Sequence, residues 1–107
     1  MLGEDHFWVL HISSNLAQLL LKQDRAKEAG ELFSKVLKLR EKILPENHPD
    51  IVRAKMGLAN AYLMMEDMER EAKELAEDAV RGFEQLVGRD DKESVEARAL
   101  FERLCIK

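Results

Sequence analysis

The chain has 107 residues, 36% of them charged and 46% apolar, with a formal net charge of −4. That length sets one domain or a piece of a longer array, and that mix suits a folded helical protein rather than a disordered one. The mildly acidic balance argues against the basic face of a nucleic-acid binder, no run of about 18 apolar residues offers a membrane span, and no basic segment followed by an apolar one marks a signal peptide.

Gly and Pro are few, aromatics make up 6%, and strand-rich stretches bounded by turns are absent, so the chain reads as all-α. The lone Cys105 cannot form an internal disulfide, which fits a reducing cytosol or nucleus, and a cytoplasmic location is expected.

The spacing predicts a first helix over about residues 6–22. Leu10, Ser13, Leu16, Ala17 and Leu20 share one face, and Ala17 lets a neighbouring helix come close. Gln23-Asp24-Arg25 reads as a tight turn. A second helix is predicted over about residues 26–43. Ala29, Leu32, Phe33, Val36, Leu37, Leu39 and Ile43 face inward. Lys27, Glu31, Lys35, Lys38 and Glu41 form a solvated face, with Glu31 and Lys35 spaced to pair.

Pro45 ends that helix, because its ring clashes with the preceding turn. Pro49 opens the next, where its missing N–H costs nothing, and Asn47 or His48 is the cap. The third helix spans about residues 49–64, with Ile51, Val52, Ala54, Leu58, Ala59, Ala61 and Tyr62 as its apolar positions. Glu66-Asp67 forms the next turn. The fourth helix spans about residues 69–87, with Ala72, Leu75, Ala76, Ala79, Phe83 and Leu86 inward. Gly88 stops it by taking the left-handed conformation. Arg89-Asp90-Asp91-Lys92 is a loop, and a fifth helix follows over about residues 93–106.

The chain repeats itself. Leu2-Gly3-Glu4-Asp5-His6 is echoed by Leu44-Pro45-Glu46-Asn47-His48, 42 residues later. Leu16-Ala17 matches Leu58-Ala59 at the same offset. Beyond the inner turn the offset is 43, as in Glu28-Ala29 against Glu71-Ala72 and Val52 against Val95. One extra residue in the second turn accounts for the change. Spacing of this size marks a repeat array. The units run over about residues 2–44 and 45–88, with a partial third repeat or capping helix over about residues 89–107.

The pattern Leu16-Ala17-x-x-Leu20, Glu28-Ala29, Phe33 and Val36, recurring at Leu58-Ala59-x-x-Tyr62, Glu71-Ala72, Ala76 and Ala79, resembles a tetratricopeptide repeat. The long second helix and the boundary Asn47-His48-Pro49-Asp50 resemble the 42-residue variety of kinesin light chains. Gly57 replaces the expected Asn, Lys55 stands where a large apolar residue is usual, and the last helix lacks the Leu-Ala pair. The resemblance implies a right-handed α-solenoid of antiparallel helix hairpins, two repeats plus one further helix. It also implies a concave groove that binds a peptide segment of a partner protein. Carried over by position, that groove is lined by His11, Ser14, Gln18 and Lys22, then Arg53, Met56, Asn60 and Met64, then Glu96 and Arg103. Arg, Asn and Gln can hold a peptide backbone or carboxylates, and Met adapts to irregular apolar side chains. The plainer reading of each position is solvated surface.

Other constellations carry little. His6 and His11 are five residues apart, off the i,i+4 spacing of a metal pair, and His6 and His48 share a slot that suggests a structural role at a helix start. Cys105 reads as a packing residue or an exposed tail. Glu66-Asp67 and Asp90-Asp91 lack the spacing of a calcium loop. Met64, Met65 and Met68 read as core filling or a greasy patch. No phosphate loop or nucleophile motif appears, so neither an enzyme nor a cofactor is expected. Phe7 and Trp8 would pack on a preceding repeat in a longer array, or else cover the N-terminal end or form a sticky patch. The fifth helix, with Val95, Ala97, Ala99, Leu100, Phe101, Leu104, Cys105 and Ile106, is apolar on more than one side. The chain is therefore expected to be a fragment of a larger repeat domain or to self-associate through this helix, and the alternative to groove binding is a structural or self-association segment of a larger repeat protein with no dedicated peptide ligand.

Overall fold

The computed structural model describes residues 2–46 and 48–105, with side chains from Trp8 onward. Five helices follow one another: α1 (Leu2–Lys22), α2 (Ala26–Ile43), α3 (Pro49–Met64), α4 (Glu69–Val87) and α5 (Lys92–Cys105). Each packs chiefly on its neighbours in sequence, with lighter contact between α1 and α3 and between α3 and α5. The result is an all-α solenoid of 46 × 31 × 19 Å. Hairpin α1/α2 stacks on hairpin α3/α4, and α5 closes on α4.

The turns repeat as the helices do. Asp24 (φ 62°) and Asp67 (φ 66°) both occupy the left-handed region, which short polar side chains tolerate better than branched ones. The helix starts repeat too. His48 Nδ1 accepts the Asp50 N–H at 3.0 Å and caps α3. At the equivalent slot the Asp91 carboxylate accepts the Glu93 N–H at 3.0 Å at the start of α5. Each satisfies an amide that the first helical turn leaves without a partner. Asn47, the other candidate cap, lies outside the described residues.

Four details depart from the sequence reading. α1 begins at Leu2, not near His6. The echo at residues 44–48 is a break because of Pro45; its counterpart at residues 2–6 has no proline and stays helical. His6 therefore lies inside a helix, not at its start, and its side chain is outside the described set. Gly88 does have positive φ (89°), but its ψ of 163° is extended rather than left-handed. That region is open essentially to glycine alone, and the Gly88 carbonyl accepts the hydroxyl of fully buried Ser94 at 2.6 Å. Leu16, Ile43 and Leu86 are exposed, not inward. Ile43 and Leu86 share the last turn of their helices, beyond the packed stripes. Glu31 and Lys35 do not pair; the ion pair on this stretch is Arg25–Glu28 at 2.6 Å.

Size complementarity holds the hairpins together. Phe33 of α2 is fully buried, and its ring lies over Gly57 of α3, where an added Cβ would sit 2.4 Å from the ring. The equivalent residues of the next interface invert the sizes: Ala76 of α4 with Leu100 of α5, in one buried cluster. A large residue from one helix meets a small one from the next, so the helices approach closely without voids.

Candidate functional site

The first helix of each unit presents its residues to one concave side, offset by 42 residues from α1 to α3 and by 43 from α3 to α5. His11, Ser14, Asn15 and Gln18 come from α1, Arg53, Met56, Gly57 and Asn60 from α3, and Glu96, Ala99, Leu100 and Arg103 from α5. Together with Arg40, Asp50, Phe83 and Glu93 they line one groove of about 650 Å³. The structure thus brings together eight of the ten residues that the sequence nominates. Lys22 and Met64 lie outside the lining. They occupy the last turns of α1 and α3, and the slot that answers to them on α5, Lys107, lies outside the described residues.

The groove side chains divide into two sets. Arg53 is committed. Its Nε and Nη2 donate to the two Glu93 carboxylate oxygens at 2.7 and 3.0 Å, and its Nη1 donates to Asp50 at 3.1 Å. This bidentate clasp ties α3 to the start of α5. Its hydrogen bonds hold Glu93 below the usual carboxylate range and push the Arg53 guanidinium above its ordinary value. By contrast His11, Ser14, Gln18, Asn60, Glu96 and Arg103 make no side-chain hydrogen bond or ion pair among the described residues.

Arg40 forms part of the floor. It is only 7% exposed and donates from Nη1 to the Asp50 carbonyl at 3.1 Å. Burial lowers its pKa from the ordinary arginine value. The sequence reading missed it because Leu39 and Ile43 drew the inward face of α2 toward themselves. Phe33, Val36 and Arg40 are the true stripe, and Arg40 stands where the second hairpin has Phe83. Asp50 and Glu93 were also missed. They share a slot 43 residues apart, as Asn15 and Gly57 share one 42 apart, so the offset itself was the available signal.

Lys55, in a slot usually apolar, lies half-buried with its ammonium 3.8 Å from Asp78. On α5 the apolar residues left exposed are Val95, Ala99 and Cys105, with Phe101 half-buried. Among the described residues no group of three or more His, Cys, Asp or Glu could hold a metal ion. No helix is long and apolar enough to cross a membrane among the residues described.

A family profile described as tetratricopeptide repeat matches residues 5–85. No curated protein matches the sequence. Similar solved structures include two of the nearly identical TPR-like repeats of a Podosopora anserina protein assigned as a kinesin light chain. One, a single-substitution variant, superposes with a TM-score of 0.79 at 24% identity, covering 91% of this chain and 45% of the other. The second gives 0.78 at 24% identity, covering 89% and 44%. This chain therefore spans less than half the length of those solved chains.

Proposed function

The chain belongs to the tetratricopeptide repeat family, whose members generally mediate protein–protein interaction, and we propose that its groove binds an extended peptide segment of a partner protein. The observation that carries this reading is the set of groove side chains with no partner inside the chain. Gln18, Asn60 and Arg103 recur at one slot in α1, α3 and α5. A row of donors and acceptors repeated along a groove suits the evenly spaced amides of an extended backbone. Met56 and Leu100 between them supply apolar contact, and Arg103 a cation for a carboxylate. The role read for the groove is recognition of a partner rather than chemistry on it.

The test begins with selection of random 12-residue peptides displayed on phage against the immobilised chain. Selected peptides are then titrated by fluorescence anisotropy. Asn60→Ala combined with Arg103→Ala should weaken binding about tenfold or more, since each removes a hydrogen-bonding group from a desolvated contact. Undiminished affinity for all selected peptides refutes the groove assignment. Arg53→Glu is a poor probe, because it would also set a carboxylate against Glu93 and Asp50.

A further inference from the structure

The groove residues that the repeat pattern nominates all come from the first helix of a unit. Arg40 does not. It rises from α2, behind the groove, and forms floor beside His11 and Asp50. In the second hairpin the same slot, 43 residues on, holds Phe83, which is buried in an apolar cluster. One floor is a guanidinium and the other an aromatic ring.

A buried charge is costly unless it is paired. Arg40 is 7% exposed, and among the described residues it has no carboxylate within ion-pair distance. Of the five N–H donors of a guanidinium, one is placed, from Nη1 to the Asp50 carbonyl at 3.1 Å. The Asp50 carboxylate turns to Arg53 instead, and so does Glu93. Burial pulls the Arg40 pKa down, and the nearest charges oppose each other: Asp50 favours the cation and Arg53 disfavours it. Among the described residues no side-chain nitrogen or oxygen is both fully buried and without a partner, so the unplaced donors of Arg40 open on free space. That space is the groove and a recess of about 320 Å³ beside it, where Trp8 and Leu10 complete the walls.

These donors suit an anion with two acceptors in one plane. A carboxylate meets the guanidinium fork bidentately, one negative charge for one positive. A phosphate ester would bring close to two charges beside Asp50. The geometry also suits a peptide that lies in the groove. The Arg40 guanidinium bonds the first turn of α3, two to three turns from Asn60. That is roughly 11–15 Å, which three to four extended residues cover.

We propose that Arg40 anchors a carboxylate of the bound peptide, from an Asp or Glu side chain or from the peptide's own C-terminus. The proposal rests on the groove reading and adds to it the residue that selects the partner's charge.

Random 12-residue peptides are displayed in two formats, with the C-terminus free and with it tethered, and selected on the immobilised chain. Selected peptides are titrated by fluorescence anisotropy, with one carboxylate at a time converted to its amide. One conversion should weaken binding to the parent about tenfold or more, and binding to Arg40→Met less than about twofold. Loss on amidating the terminus identifies a terminal carboxylate; loss on an Asp to Asn or Glu to Gln exchange identifies a side chain. Arg40→Gln keeps a donor for the Asp50 carbonyl but no charge, and should lose the coupling in the same way. Because the parent buries this charge without a counter-ion, Arg40→Met should unfold in urea at or above the parent midpoint. A clearly lower midpoint makes Arg40 a strut and overturns the inference. Peptides that need Asn60 and Arg103 but bind the parent and Arg40→Gln equally overturn it alone and leave the groove reading standing. If no peptide is selected, or if every one binds without Asn60 and Arg103, both readings fall.

Discussion

Replacing Gly57 with alanine separates the packing account of this fold from a simple propensity account. In an open helical position the exchange stabilises by about 1 kcal/mol, because alanine loses less backbone entropy and favours the helix. At Gly57 the new Cβ would lie 2.4, 2.6 and 2.8 Å from three carbons of the Phe33 ring. That ring is fully buried, so relief requires α2 and α3 to part or Phe33 to leave its rotamer. Such overpacking costs about 1–3 kcal/mol. Set against the propensity gain, the net effect is a loss of about 1 kcal/mol, a melting temperature lower by several degrees in a chain of this size. Gly30 is the internal control. It too is buried in a helix, but a Cβ there would meet Ala61, Tyr62 and Met65 at 3.6, 3.7 and 3.8 Å, ordinary contact distances. Gly30→Ala should therefore stabilise by up to about 1 kcal/mol. Thermal and urea unfolding followed by circular dichroism, at one fixed protein concentration so that association contributes equally, measures both signs. A Gly57→Ala variant as stable as the parent, or more so, refutes the claim that Phe33 is seated in a glycine notch.

Further outcomes follow from neighbouring observations. Phe33→Ala alone should cost about 3–5 kcal/mol, and adding Gly57→Leu should recover much of it by recreating the Ala76/Leu100 arrangement of the next interface; urea midpoints of the single and double variants check this. His48→Ala should cost about 1 kcal/mol through loss of the α3 cap, while His48→Asp should retain most of the stability, since Asp91 performs the same role at α5. Glu93→Gln tests the α3–α5 clasp. Glu93 has a depressed folded pKa, so its contribution is present above the unfolded carboxylate value and is lost as the pH falls through the folded one. The two partners are a third to a half exposed, which limits the contribution to under about 1 kcal/mol. Parent and Glu93→Gln should differ at pH 7 and converge once the pH has fallen below the ordinary carboxylate range and through the depressed value of Glu93; a gap that persists in stronger acid removes the clasp as its cause.

Much of this architecture was legible because the chain states its period twice. Pro45 and Pro49 marked the break between hairpins, and the change of offset from 42 to 43 marked the longer second turn. The buried face of α3, and that of α4 short of Leu86, followed from 3.6-residue spacing. The misreadings have local causes. Helical spacing places Leu16 and Ala17 on adjoining angles, but it does not say that the Leu16 side has no neighbour. Arg40 was passed over because a charged residue on a core stripe reads as an interruption, although its stem can be buried when its head finds a carbonyl. The start of α1 was misplaced because an echo of sequence was taken for an echo of structure, and the decisive difference was the single proline.

The groove shows why a residue's place in a repeat and its freedom to bind are separate questions. His11, Arg53 and Glu96 occupy one slot in successive units, and by position alone they are equivalent. In the structure Arg53 is bound by two carboxylates, while His11 and Glu96 make no side-chain pairing among the described residues. The reason lies one turn away. The slot before it holds Asp50 in α3 and Glu93 in α5, which converge on Arg53, whereas at α1 that slot holds Trp8. The same slot can thus hold a strut in one unit and an unpaired side chain in another, depending on what the adjoining slot supplies. In this groove Arg53 ties α3 to α5, and the proposed peptide contacts are assigned to the row Gln18, Asn60 and Arg103 because no described neighbour claims their hydrogen-bonding groups.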